Sequence, residues 1–382
     1  MAVGDIITKF TGHSGIVYSV TFSLDDNLAI SGSSDSTVKI WDTTTGNVQY
    51  NFTGHTDVVY SVAFSSNDSL AISGSRDNTV KIWNTTTGNI VTNFTGHTDD
   101  VSSVAISSDD SLAISGDYYN VIKVWDTTTG SIITNNTAPM SAVNSVAFSS
   151  DDSLAISGDN DNIARVWGTT TGSIITNFTG HTGDVRSVAF SSNDSLAISG
   201  SYDTTAKVWN TTTGNIITNF TGHTMSVYSV AFSSDDNLAI SGGNDNTVKI
   251  WDTITGNIQY NFTGHTGDVR SVAFSSDDSL AISGGVNSTA KIWNTGISYP
   301  PLLHEVIFDI LGSADVTAKA WNTSSVKFDI IGQANVTAKA LRIASVKTRI
   351  LSSLTGIVTA IVISSWIELL TEEGEWKEYE GN

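Results

Sequence analysis

Along the first 295 positions, apolar residues come in runs of five or six, each closed by small and polar residues. Val17–Phe22, Leu28–Ser33, Thr37–Trp41 and Asn47–Phe52 show the pattern, and the turns between them read Asp-Asp-Asn, Ser-Asp and Thr-Thr-Gly. The runs alternate or are wholly apolar, and they are rich in Val, Ile, Phe and Trp. Side chains of that kind fit a pleated, half-buried surface, so the segment is predicted to form four short antiparallel strands.

The pattern then repeats every 42 residues. Phe-Thr-Gly-His begins at Phe10, Phe52, Phe94, Phe178, Phe220 and Phe262, and a degenerate copy starts at Asn136. A Trp landmark keeps the same spacing at Trp41, Trp83, Trp125, Trp167, Trp209, Trp251 and Trp293. Seven units follow one another without insertion or deletion, and a fixed period of this length is the mark of a repeat architecture.

Gly-His followed by Trp-Asp at this spacing resembles the WD-repeat β-propeller family over about residues 4–295. The resemblance implies a ring of four-stranded blades. The seventh unit stops at Asn294 without the outer strand of its siblings, while Gly4–Phe10 matches Gly214–Phe220. The expected architecture is all-β: a seven-bladed propeller over 1–296 closed by the amino-terminal strand, a linker over 297–304, and a further domain over 305–382.

Each unit carries His, Ser and Asp, but the period argues against catalytic triads, because a catalytic site is needed once. Four sets are intact: His13/Ser31/Asp35/Trp41, His55/Ser73/Asp77/Trp83, His181/Ser199/Asp203/Trp209 and His223/Ser241/Asp245/Trp251. The family resemblance implies that each is a buried hydrogen-bonded chain that stiffens its blade. Units three, four and seven have Tyr119, Pro139 and Asn287 at expected Asp, His and Asp positions. Those blades are expected to be less rigid. With six of seven histidines used in this way and no cysteine, no metal site, cofactor or catalytic residue is expected.

Columns where the copies disagree are more informative about binding. One reads Tyr18, Tyr60, Ser102, Asn144, Arg186, Tyr228 and Arg270; a second includes Asp100, Asp184 and Asp268; a third includes Arg76, Tyr118 and Tyr202. By resemblance all three lie on the top face around the central channel. Aromatics and Arg are the residue types enriched where binding energy concentrates. The opposite turns hold twelve acids, from Asp25-Asp26 to Asp277-Asp278, and are read as turn residues bonding their own backbone.

After Tyr299-Pro-Pro301 the period changes to 20, with Val306–Ala320 aligning with Val326–Ala340 and a diverged copy opening at Val346. Alternation predicts a small antiparallel β-sandwich or β-roll, with Trp366–Tyr379 as a closing hairpin. Leu351–Ile367 is apolar enough to weigh as a membrane helix. Its Ser/Thr punctuation and its Val and Ile content favour buried strands, so no membrane span is expected.

The chain has 382 residues, 18 basic and 38 acidic, for a net charge of −20, yet only 15% of residues are charged. An acidic surface disfavours nucleic acid. No basic-then-apolar leader is visible, so a cleaved secretory signal is not expected. The reading that results is a non-enzymatic binding protein whose top face recognises a protein or glycan. Its carboxy-terminal domain would dock it into a larger homo- or hetero-oligomeric assembly, such as a decoration, spike or fibre at an extracellular or virion surface. Thirteen Asn-x-Ser/Thr sequons suit that setting. A cytoplasmic scaffold recruiting peptide motifs is the alternative, and an enzyme would have to use Asp184, Arg186, Asp268 and Arg270 at the mouth.

Overall fold

The computed structural model describes residues 2–136 and 141–297, and beyond them the backbone of eight strands between Val306 and Tyr379. The chain divides into two compact units, Met1–Ile297 and Ser298–Asn382.

Seven four-stranded antiparallel sheets make up the first unit. The first blade runs Val17–Phe22, Leu28–Ser33, Thr37–Asp42 and Val48–Thr53, within a residue of the expected bounds. The seventh takes its outer strand from the other end of the chain: Ile6–Phe10 pairs antiparallel with Ala290–Asn294, Phe10 opposite Ala290. With both of its ends in one blade, the first unit closes its own ring.

Packing explains why the blades need one another. Each apolar cluster is built between two neighbours rather than within one sheet. Ile30, Val38 and Ile40 of the first blade meet Val59, Val62, Ala71 and Trp83 of the second. At the closure, Ile282, Ala290 and Ile292 of the seventh meet Val17, Val20 and Trp41 of the first. Phe10 stacks on Trp41 at 5.1 Å between centroids, as Phe52 does on Trp83 at 5.3 Å. Close approach also needs Gly32, where an added Cβ would sit 2.8 Å from Val59 of the next blade.

Two hydrogen-bonded rings reinforce the packing. On the inner strands, Val62 donates its N–H to Ser19 Oγ one blade back, and Val20 donates to Ser271 across the closure. In the lower turns the paired acids divide their work. Asp25 accepts from Asn27 N–H and Ser23 Oγ–H within its own turn. The second acid is held at positive φ, 60° at Asp26, a conformation Asp tolerates better than most residues. It reaches the preceding blade, so Asp110 accepts both the N–H and the hydroxyl of Ser66. The expectation that these acids serve their own backbones therefore holds for the first of each pair and is corrected for the second.

In the second unit the expected antiparallel pairing is corrected. Val306–Leu311, Val326–Ile331 and Val346–Ile350 pair in parallel, Val306 opposite Val326 and Val326 opposite Val346. Ala314–Thr323 and Ala334–Ile343 likewise pair in parallel, in a second sheet. Each 20-residue copy contributes one strand to each sheet, so like positions stack on like. Alternation shows which face of a strand is apolar, but not which strand lies beside it. The closing hairpin is antiparallel, Ile367 opposite Tyr379. Within Leu351–Ile367, Val358–Val362 is a strand; most of the remainder, like the Tyr299–Pro301 linker, lies outside the described residues. Among the described residues, no helix is long and apolar enough to cross a membrane.

Candidate partner-binding face

The upper surface rests on the histidine chains. In the first blade Trp41 Nε1–H donates to Ser31 Oγ at 2.7 Å, Ser31 bonds His13 Nε2 at 2.8 Å, and His13 Nδ1 meets Asp35 at 2.8 Å. Asp35 also accepts the N–H of Ser14 at 3.0 Å, so the chain ties two upper loops to a buried Trp. The same links join His55, Ser73, Asp77 and Trp83, then His181, Ser199, Asp203 and Trp209, then His223, Ser241, Asp245 and Trp251. Burial pushes the His13 imidazole below its usual value against the pull of Asp35. Burial alone would raise Asp35, but the Thr37 hydroxyl and His13 outweigh it and hold the carboxyl at about 2. A neutral imidazole clamped in this way is an anchor, and it lies apart from the channel mouth.

The three deviant units each resolve differently. Tyr119 does not leave the third blade without an acid, because Asp117, two positions earlier, meets His97 Nδ1 at 2.7 Å. The expected loss of rigidity there is corrected: a buried carboxylate at a position occupied by Ser33 in the first unit completes the chain. In the fourth blade Pro139 lies outside the described residues. Arg165, in a column otherwise held by Lys, bonds both Asp159 and Asp161. Burial drives Asp159 up to about 7 against the pull of Arg165. The seventh blade keeps a weaker link, His265 Nδ1 to Asn287 at 3.3 Å.

Above these anchors the variable columns surround the channel. A cavity of about 90 Å³ is lined by Tyr18, Tyr60, Ser102, Tyr118, Asn144, Arg186, Tyr228 and Arg270. Its wall is divided. On one side Tyr60 packs edge-on against Tyr18 at 5.2 Å and Tyr118 at 5.9 Å. Tyr60 OH donates to Asp100 at 3.4 Å, and Arg76 sits 3.7 Å from Asp100 and 3.9 Å from Asp57. Burial, with Tyr118 and Asp100 adding to it, raises the Tyr60 phenol, which stays protonated.

On the other side Arg186 lies over Tyr202 at 4.8 Å and Arg270 over Tyr228 at 4.0 Å, with the two rings 5.8 Å apart. Asp268 accepts from Arg270 Nη2 at 2.8 Å, and the Asp184 carbonyl accepts the N–H of Tyr202. Arg76, Asp100, Asp184, Tyr202 and Asp268 thus flank the cavity rather than line it. Ser102 and Asn144, which do line it, were not singled out from the sequence, although their column already pointed to them. No group of metal-binding side chains gathers among the described residues.

The family model for the WD domain, G-beta repeat, matches seven stretches: 4–42, 46–84, 88–126, 130–168, 172–210, 214–252 and 256–294. The chain belongs to the WD-repeat family. Propellers of this family are in general non-catalytic protein-interaction modules. No curated protein matches this WD-repeat chain. The carboxy-terminal unit lies beyond the seven matched stretches.

Proposed function

We propose that this WD-repeat protein is a binding scaffold whose upper face takes a protein partner, with the Ser298–Asn382 unit tying it into a larger assembly. One observation carries the first half. The near-identical units differ chiefly in columns that contribute the Tyr, Arg and Asn side chains of the channel mouth. Elsewhere the repeats preserve interblade packing, so variation concentrates where it does not disturb the fold. The second half rests on stacked parallel strands outside the propeller. An exposed setting is supported by the sequon asparagines Asn51, Asn93, Asn177, Asn219 and Asn261, all solvent-exposed on outer strands.

A photo-crosslinking residue placed at Tyr60 and, separately, at Ser150 on a lower turn tests the face. Partner adducts are expected at position 60 alone. Equal adducts at both positions, or adducts only at 150, would remove the upper face from consideration. Removing 298–382 is expected to leave those adducts while abolishing sedimentation with large assemblies.

A further inference from the structure

We propose that the Arg186–Tyr202–Tyr228–Arg270 sector of the mouth is an anion-recognition subsite that takes the carboxylates of an acidic peptide segment in the partner. The inference rests on the reading of the upper face as partner-binding and adds the chemistry of what binds there.

The four side chains form a continuous array of guanidinium, ring, ring and guanidinium. Stacking occupies the flat faces of the guanidinium groups and leaves their edge N–H donors available. Each group has five such donors in a fixed fork that matches a carboxylate. Arg186 spends one on Asn144 Oδ1 at 2.6 Å and has no ion pair among the described residues. Arg270 spends one on Asp268, and its buried Nε–H has no acceptor among the described residues, so its Nη groups are the donors that face the mouth. Asn144 orients Arg186 without balancing its charge, whereas Asp268 is a counter-charge to Arg270.

Charge sharpens the point. In a chain of net −20, two of its six arginines line one small cavity; Asp100, Asp184 and Asp268 flank it, and the paired acids lie in the turns at the other end of the blades. A ligand must therefore cross a generally acidic field to reach the two guanidinium groups in the wall, of which Arg186 has no counter-ion among the described residues. A flexible acidic segment can do so where a long polyphosphate strand, repelled along its whole length, cannot. The opposite wall decides for a peptide over a small free anion. Tyr18, Tyr60 and Tyr118 present ring surface across the same mouth, so full occupancy needs an apolar side chain beside the acid.

The test uses the full chain and a fluorescein-labelled peptide Gly-Glu-Phe-Glu-Phe-Glu-Gly, compared with the analogue carrying Gln for Glu, by fluorescence anisotropy. The Glu peptide is expected to bind at least about tenfold more tightly and to weaken as salt rises, as charge-assisted pairing requires. Arg186→Gln and Arg270→Gln should each lose about tenfold; Arg186→Lys should retain part of the affinity, and Lys9→Gln, an exposed cation on the outer strand Ile6–Phe10, all of it. Unchanged melting temperatures confirm that the variants fold. Equal affinity for the two peptides, indifference to both arginine variants, or no binding of either peptide overturns the proposal. Millimolar phosphate that displaces the Glu peptide without any preference over Gln also overturns it, leaving a simple anion site. Tyr60→Ala, run in parallel, separates this failure from the wider one. Peptide binding lost on that change but blind to charge sinks only the anion subsite, and binding blind to every upper-face change sinks both readings.

Discussion

Ser276 in the seventh blade donates its backbone N–H and its hydroxyl to Asp26 in the first, at 2.8 and 2.7 Å. Residues 250 positions apart thus make the same contact that neighbouring blades make all round the lower rim. Six of the seven junctions have a serine as donor. At the remaining one Leu24 offers only its N–H to Asp68, and Asp68 Oδ1 is left buried without a partner among the described residues. Burial, with Asp25 and Asp26 close by, raises that carboxyl above its usual value.

Leu24→Ser is therefore expected to stabilise the propeller by about 1 kcal/mol, the net worth of one hydrogen bond to a group otherwise stranded. Leu24 is 66% exposed, so little burial is lost in exchange. Urea denaturation at neutral pH measures it, and an unchanged or lowered midpoint refutes the account of the rim.

The third blade allows a swap. Asp117→Ser strands the buried His97 and should cost about 2–3 kcal/mol. Adding Tyr119→Asp restores the arrangement of the other blades and should recover most of the loss. Failure of the double variant to recover would mean that Asp117 supports something besides the imidazole.

Trp167 differs from its six counterparts because Asn136 stands where they have a stacked Phe, and a small cavity opens beside the ring. Asn136→Phe should stabilise by about 1–2 kcal/mol, burial of the ring outweighing the lost bond from Asn136 to the Gly172 carbonyl. Thermal melting of the two proteins side by side decides it.

Acid should act on the molecule in opposing ways. Burial, with Lys291 adding to it, holds His265 down at about 4, so its contribution to stability is lost as pH falls from 6.5 towards 4. Asp35, held at about 2, contributes above its unfolded value near 3.8 and loses that contribution as pH falls through 2. Asp159 runs the other way: raised to about 7, it binds a proton in the folded state first, so stability is gained as pH falls from 7 to 4. Asp159→Asn should make melting temperature drop more steeply between pH 7 and 5 than in the parent. Parallel curves would show that Asp159 does not titrate in that window.

The sequence by itself determined the propeller. Seven exact periods give the blade number, the apolar runs the strand bounds and the displaced outer strand the closure, while the ring itself follows from the Gly-His and Trp-Asp landmarks through the family they resemble. The repeat also exposed the binding columns, since variation stands out against near-identity. Only the tertiary structure decided which residues are joined across blades: Asp26 with Ser276, Asp117 in place of Tyr119, and the orphaned oxygen of Asp68. It also set the parallel direction of the carboxy-terminal strands and the grouping of Arg186 and Arg270 with two tyrosines. Those relations depend on which surfaces meet, and a one-dimensional pattern records what a side chain is without recording what it faces.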